Sequence, residues 1–162
     1  MPLRYQIQNV FSSPPSSGGG AGLIKLVTVL SSADLNGLQV SFLPVTETPP
    51  GGSRIIPAWL SANYKFGGVD YGATGTFTFF WGTTPGAFFA YRQIGVNGFL
   101  NPGTGIDQCA QANAVNEADS GTAIPRNLSD GAPVVVGNPA AIIQLGNGTV
   151  TLTAFYTIQA FA

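Results

Sequence analysis

The chain has 162 residues, of which 44% are hydrophobic and only 8% are charged, and its net charge is −1. This length is enough for one domain with a hydrophobic core. The six basic residues occur singly, so no basic patch is available to neutralise phosphates and direct nucleic-acid binding is not expected. Typical globular chains carry about 25% charged residues. With only 8%, charge repulsion does little to keep copies of this chain from associating. We expect much of its surface to be buried against neighbouring subunits.

The first 22 residues form a separate piece of the sequence, and residues 23–162 form the domain. Apolar residues near the start indicate a short extended arm, and residues 12–22, rich in Ser, Pro and Gly, have the composition of a linker. An arm with no core of its own must lie against its own domain or against a neighbouring subunit. We predict that the arm reaches a neighbour and that its assembly contacts are Tyr5, Ile7, Val10 and Phe11.

Residues 23–30 are the first predicted strand of the domain. This apolar run is only eight residues long and contains Lys25, so it is too short for a membrane span and is not typical of a signal peptide. No membrane contact is therefore expected. Residues 31–37 predict a turn or a single helical turn that ends at Gly37, and residues 38–45 predict a second strand by their alternation.

A long strand is predicted from residue 54 to residue 66, after a loop at residues 48–53 that is rich in Pro and Gly. Alternation places five side chains on one face of this strand: Ile56, Ala58, Leu60, Ala62 and Tyr64. Pro57 interrupts the pattern, because proline has no backbone N–H to donate to a sheet. It indicates an edge position, a bulge or a later start of the strand.

The middle of the chain predicts two aromatic strands, at residues 76–81 and 87–94, joined by a turn of Thr, Pro and Gly. Residues 107–117 predict a short helix whose apolar positions are mostly Ala. Two short apolar strands follow at residues 133–136 and 140–145. The other residues between 95 and 130 are rich in Gly, Asn and Asp, which is typical of loops.

The last stretch, residues 148–161, carries the strongest strand pattern in the sequence. Four threonines and a glutamine alternate with Val150, Leu152, Ala154, Tyr156 and Ile158. An open edge of this length would recruit other chains, so the strand must be flanked by partners. Its threonine face is either an uncharged solvent face or a polar contact between subunits.

About eight strands separated by turns, with almost no helix, predict an all-β protein. We expect an antiparallel β-sandwich of jelly-roll type with an extended N-terminal arm, and an up-and-down barrel is the alternative. A β-propeller or β-helix is not favoured, because the sequence has no repeat of fixed length.

The sequence offers no catalytic constellation. It contains no histidine, which removes the commonest general base, histidine-containing triads and histidine-ligated zinc. The single Cys109 excludes an internal disulfide and is expected to be a small buried hydrophobic residue. Asp107, Glu117 and Asp119 lack the close alternation of a calcium-binding loop. We therefore expect no catalytic residue, no metal and no cofactor.

The aromatic residues of the two central strands allow two interpretations. In the structural one, one face of these strands joins the core and the other contacts a neighbour. The further candidate assembly contacts are then Phe80, Trp81, Phe89 and Tyr91. In the functional one, the rings stack on sugars at a receptor-binding tip. We favour the structural interpretation.

Four stretches occur in a characteristic order: residues 31–38 (SSADLNGL), 49–57 (PPGGSRIIP), 60–71 (LSANYKFGGVDY) and 146–158 (GNGTVTLTAFYTI). Together they resemble a loose family of small structural proteins of tailed bacteriophages. The resemblance covers about half of the chain and implies a β-sandwich subunit that sits on the virion. The family carries no catalytic residues to transfer.

We therefore expect a non-enzymatic virion structural protein, foremost a capsid decoration (cement) protein that binds and stabilises a phage head. It would be made in the host cytoplasm without a signal peptide, and would associate with itself as a trimer. Its other partners would be the major capsid protein or other virion proteins. The alternatives are a phage tail or fibre component and a glycan-binding receptor-recognition sandwich. A pilus-type subunit joined by strand exchange is disfavoured, because the sequence shows no signal peptide and no paired cysteines.

Overall fold

The computed structural model describes residues 5–8, 22–73, 75–82, 89–95, 99–100, 107–114, 130–138, 143–144 and 146–161. These residues contain twelve strands and one short helix, α1 (Ser32–Gly37). The strands are β1 (Tyr5–Gln8), β2 (Ile24–Leu30), β3 (Leu43–Pro44), β4 (Ser53–Lys65), β5 (Gly72–Ala73), β6 (Thr76–Trp81), β7 (Phe89–Gly95), β8 (Gln108–Gln111), β9 (Asn113–Ala114), β10 (Val134–Gly137), β11 (Ile143–Gln144) and β12 (Thr149–Ala160).

Two five-stranded sheets form the body of the fold. Sheet A has the order β1-β2-β12-β4-β8, sheet B has the order β3-β10-β6-β7-β9, and β5 pairs with β11 in a separate ladder. Every strand pair among the described residues is antiparallel. Buried side chains from both sheets belong to one hydrophobic cluster. The prediction of an all-β antiparallel sandwich is therefore confirmed.

Eight strands remain when the edge strands β1 and β9 and the β5·β11 ladder are set aside. Along the chain, the first of the eight pairs with the last (β2·β12), the second with the seventh (β3·β10), the third with the sixth (β4·β8) and the fourth with the fifth (β6·β7). The pairs β12·β4 and β10·β6 then join these four hairpin pairs into two sheets. The chain is thus one long hairpin of eight strands divided between two layers.

The C-terminal strand β12 lies inside sheet A, with β2 on one side and β4 on the other. Val150, Leu152, Ala154 and Tyr156 are buried, as the alternation predicted, and Ile158 is half-buried. The prediction that this long strand is flanked by partners is confirmed for residues 150–156, which pair on both sides, whereas residues 157–160 pair with β4 alone.

A β-bulge interrupts β4 at Ala58. Trp59 pairs with Phe155 and Pro57 pairs with Tyr156, so Ala58 has no opposite residue in β12. An extra residue of this kind shifts the alternation by one position. Of the three explanations for Pro57, the structure shows the bulge. It also places Pro57 beyond the stretch of β4 that pairs with β8, from Ser61 to Tyr64.

The bulge changes which side chains of β4 face the core. Before it the buried residues are Ser53, Ile55 and Pro57, and after it they are Leu60, Ala62 and Tyr64. The predicted buried face was right for Leu60, Ala62 and Tyr64. It was wrong for Ile56, which is half-buried, and for Ala58, which is exposed.

The two sheets are joined through the aromatic strand β6. Its residues from Phe77 to Trp81 are all buried. The indole Nε1–H of Trp81 donates a hydrogen bond to the carbonyl oxygen of Ile55 in β4, 3.2 Å away. On the other side of the strand, Phe42 packs edge-on against Phe80 with ring centroids 4.7 Å apart. Both faces of β6 are therefore covered by this chain.

Helix α1 follows β2 directly and is stabilised by a capping box. The Asp34 N–H donates to Oγ of Ser31 at 3.3 Å, and the Ser31 N–H donates to Oδ2 of Asp34 at 2.8 Å. These two bonds satisfy backbone donors that the first turn cannot pair internally. Leu35 is buried and anchors the helix to the core. The predicted single helical turn is confirmed.

Two predicted elements were wrong. Only Leu43–Pro44 of the predicted strand at 38–45 is a strand, and Val40 in its first half is 75% exposed in a turn. The predicted helix at 107–117 contains strands β8 and β9, and residues 115–117 lie outside the described residues. Four backbone positions of β8 pair with β4, and this pairing with an existing strand overrides the modest helix preference of a polar, Ala-containing segment.

Candidate interaction surface

On the side of sheet A that points away from the core, the part between the Thr149·Lys65 pair and the Phe155·Trp59 pair forms a surface that we call the outer face. Beyond it, the same side of the ladder continues through Thr157 and Ile56 to Gln159 and Arg54. Cross-strand register aligns the side chains of the outer face in rows that run across β2, β12, β4 and β8. The rows are Lys25, Phe155 and Trp59; Val27, Thr153, Ser61 and Gln111; Val29, Thr151, Asn63 and Cys109; and Thr149 and Lys65.

The outer face is nearly uncharged. Its residues include two lysines and no carboxylate, and its middle rows carry hydroxyl, amide and valine side chains. Neighbouring positions of the same strands, such as Leu152 and Ala62, point the other way and are buried. The threonine side of β12 is thus part of a broad surface with little charge to oppose the approach of another uncharged surface.

An exposed aromatic pair marks one end of the outer face. Trp59 is 45% exposed and lies opposite Phe155 in the β4·β12 ladder. Nζ of Lys25 is 5.9 Å from the centroid of the Phe155 ring, within the range of a cation–π contact. Strand β8 pairs with β4 only as far back as Ser61, so Trp59 extends past the end of that edge strand.

Strand β1 forms the edge of sheet A beside β2. Its four residues pair in register from Tyr5 opposite Thr28 to Gln8 opposite Lys25. The N-terminal arm is therefore extended at this point and lies against a strand of its own chain. The predicted contacts Val10 and Phe11 lie outside the described residues, as do the side chains of Tyr5 and Ile7.

Phe80 and Trp81 were predicted as assembly contacts, and both are buried within the chain, with exposed fractions of 0% and 1%. The Phe80 ring packs against Phe42. The Trp81 indole donates a hydrogen bond to the Ile55 carbonyl in sheet A. Trp81 is therefore not available to stack on a sugar. The side chains of Phe89 and Tyr91 lie outside the described residues.

Trp59 is the surface aromatic residue that sequence reasoning missed. The alternation that places Leu60, Ala62 and Tyr64 on the buried face of β4 also places Trp59 on the opposite face. Trp59 lies after the bulge, where the structure keeps the predicted alternation, so the signal for its exposure was the period-two pattern itself.

A shallow groove of about 330 Å³ lies beside β8. Its lining residues are Asn63, Tyr64, Lys65, Asp107, Gln108, Cys109 and Thr151.

Cys109 is exposed, so the prediction of a buried cysteine was wrong. It lies opposite Asn63 on an edge strand, where the side that points away from the core meets solvent. Oδ1 of Asp107 accepts a hydrogen bond from the backbone N–H of Phe66 at 2.9 Å, which fastens the start of β8 to the end of β4.

Comparisons with protein-family models, with curated proteins and with solved structures found no match. The resemblance to phage structural proteins therefore stays a prediction. Function has to be inferred from the strand order and from the outer face.

Tyr64, one of the residues that line the groove, has a shifted pKa. Burial raises the pKa of Tyr64, and the carboxylates of Asp70 and Asp107 raise it further, so the phenol is held in its protonated form. Within the described ranges, no group of three or more His, Cys, Asp or Glu side chains is placed to hold a metal ion. Glu117 and Asp119 lie outside those ranges.

Among the described residues, no helix has the length and apolar character needed to cross a membrane.

Proposed function

We propose that this chain is a non-enzymatic structural protein of a virus particle, and specifically a decoration protein that binds and stabilises a phage head. The observation that carries the proposal is the pairing of eight strands first with last, second with seventh, third with sixth and fourth with fifth. This is the order expected of a jelly roll, an architecture of two Greek keys found in viral capsid domains. A single jelly roll with a paired N-terminal strand fits a subunit of a shell.

Jelly rolls also occur in lectins and cupins, so the surface must decide between these classes. The whole sequence has no histidine, the commonest general base, and among the described residues no group of three or more His, Cys, Asp or Glu side chains is placed to hold a metal ion. The outer face instead combines Val27, Val29, Phe155 and Trp59 with hydroxyl and amide groups. Apolar and aromatic groups among uncharged polar ones are the composition of a protein–protein interface.

Burial of the outer face against a shell would supply the binding energy. At about 25 cal/mol per Å², burying ~1,000 Å² of apolar area yields a gross gain of ~25 kcal/mol per subunit. Lost translational and rotational freedom costs roughly 4–15 kcal/mol of that gain. Subunits that also contact one another add avidity, because each bound copy raises the local concentration of the next contact.

The direct test is whether the chain lies on particles. Antibody raised against the purified protein should label the outside of intact particles from the source culture in immunogold electron microscopy. Mass spectrometry of the purified particles should detect the chain. A chain that is found in the cell lysate and is absent from purified particles by both methods would overturn the proposal.

The role of the outer face can be tested separately by re-binding purified protein to particles from which it has been removed. Trp59→Ala should weaken binding at least tenfold, because it deletes the largest exposed side chain of this face. Val40→Ala is the matched control, since Val40 is an exposed hydrophobic residue outside the outer face. Equal affinities of Trp59→Ala and the unaltered protein would show that another surface binds the head.

A second candidate function is glycan binding at a tail or fibre tip, and the exposed Trp59 favours it. An indole beside hydroxyl and amide groups can stack on a sugar ring while its neighbours form hydrogen bonds. Binding to one class of oligosaccharide on a glycan array, lost in Trp59→Ala and kept in Val40→Ala, would favour this function over decoration.

A further inference from the structure

Strand β2 is paired along both of its edges. Towards the centre of sheet A, residues Ile24–Leu30 pair with β12 over seven positions, and on the other side Lys25 to Thr28 pair with β1 over four. Without β1, these four residues would present a row of unpaired backbone N–H and C=O groups, which invites pairing with another chain. In the structure Tyr5–Gln8 pairs with these groups.

The connection between β1 and β2 is longer than their pairing requires. Residues 9–23, fifteen in all, separate the two strands, whereas adjacent antiparallel strands are commonly joined by about 2–5 residues. Fifteen residues reach at most about 50 Å, and a domain of this size has a radius of gyration of about 15 Å. The connecting sequence can thus span the distance to β2 of an adjacent subunit as well as to its own.

We propose that β1 is exchanged between copies, so that Tyr5–Gln8 of one subunit pairs with Lys25 to Thr28 of a second copy. The exchanged ladder contains the same backbone hydrogen bonds as the ladder within one chain, so exchange loses no contact. Lys25 is the one charged side chain in the two strands, and it lies opposite the neutral Gln8, so copies do not bring like charges together.

Exchange would give the proposed decoration protein its link between subunits, and in this respect the inference rests on the proposed function. Each subunit would donate one strand and accept one strand. On a particle surface, where copies are held close together, such mutual ties make the release of a single subunit depend on breaking two contacts.

Engineered cysteines at paired positions test the exchange. Gln6 lies opposite Val27, and directly paired residues have Cβ atoms about 4.5–5.5 Å apart, close enough for a disulfide after small adjustments. In a Cys109→Ser background, one chain would carry Gln6→Cys and a differently tagged chain would carry Val27→Cys. After co-expression and mild oxidation, we expect a mixed disulfide that contains both tags on a non-reducing gel.

The double variant Gln6→Cys/Val27→Cys should form covalent dimers or larger species that reduction returns to the single chain. The control is Val27→Cys/Thr153→Cys, whose two positions face each other in the β2·β12 ladder inside the domain and should link within one chain. If the double variant forms only an intrachain disulfide and the mixed chains form none, the exchange does not occur.

Cross-linking and the labelling of particles together distinguish a failure of the strand exchange from a failure of the proposed function. Labelling of particles together with exclusively intrachain cross-links would overturn the exchange and leave the decoration function standing. Interchain cross-links in a protein that is absent from particles would support the exchange and overturn the function.

Discussion

The hydroxyl of Tyr71 donates a hydrogen bond to the carbonyl oxygen of Gly148 at 2.7 Å in the protein interior. Tyr71 belongs to the loop that follows β4, and Gly148 immediately precedes β12, so the bond ties together the end of sheet A where these strands meet. Asn147 adds to it, because its Oδ1 accepts a hydrogen bond from the Val69 N–H at 2.9 Å. Two of the stretches that carry the resemblance, residues 60–71 and 146–158, are therefore in direct contact.

Replacing Tyr71 by Phe should lower the free energy of unfolding by about 1–3 kcal/mol, since the buried Gly148 carbonyl loses its donor. Tyr64→Phe is the matched control. The Tyr64 hydroxyl is also buried, yet it has no hydrogen-bond partner among the described residues, and its ring lies 6.1 Å from that of Tyr71. Its removal should leave stability unchanged or raise it. Urea denaturation followed by circular dichroism would measure both, and equal losses would contradict the assignment.

Gly148→Ala should destabilise the fold strongly, by roughly 3 kcal/mol or more, because the site has no room for a methyl group. A Cβ there would overlap Cε2 of Tyr64 and lie 2.6 Å from the carbonyl oxygen of Lys65. Gly37→Ala is the control, since a Cβ at Gly37 meets no atom within 4 Å. That variant should be neutral or gain up to about 1 kcal/mol. Similar melting temperatures for the two variants would argue against this packing.

Alkaline pH should unfold the protein through its buried tyrosines. Burial raises the pKa of Tyr71 to about 12, with Tyr64 adding to the shift, and burial raises the pKa of Tyr156 to about 12 as well, from a usual value of 10.0. The folded state thus favours the protonated phenol. The stability that these groups contribute is complete below pH 10 and is lost as the pH rises through 12.

Urea denaturation at a series of pH values would measure this loss. Tyr71→Phe should show a smaller decrease in the free energy of unfolding over the same window, because one of the shifted groups is gone. A free energy of unfolding that stays constant up to pH 12 would contradict the burial of these hydroxyls.

The two tryptophans should report opposite surroundings, since Trp59 is 45% exposed and Trp81 is 1% exposed. In Trp59→Phe, the remaining fluorescence should be blue-shifted and resistant to acrylamide. In Trp81→Phe it should be red-shifted and readily quenched. Trp81→Phe should also cost about 1–3 kcal/mol of stability, because the Ile55 carbonyl loses its indole donor. Equal quenching of the two variants would be inconsistent with these positions.

Local pattern predicted much of sheet A and the core strands of sheet B. The alternation of β12, the aromatic run of β6 and the single helical turn within residues 31–37 depend on neighbours within a few positions along the chain. Such features can be predicted from sequence because the alternation of side chains along a strand and the turn preferences of residues are local properties. The candidate site was predicted less well, since Trp81 was chosen and Trp59 is the exposed residue.

The sequence by itself determined the alternation of apolar and polar residues along the strands, the low charge and the absence of histidine. These features specify an all-β protein with few charges. Only the tertiary structure decided the rest. The bulge at Ala58 put Ile56 and Ala58 off the predicted buried face of β4, and pairing with β4 made residues 108–111 an edge strand. Both outcomes depend on hydrogen bonds between strands far apart in the chain. The local alternation of residues carries no information about such pairing. The same long-range pairing placed Thr151 and Thr153 beside Val29 and Val27, and so built the outer face.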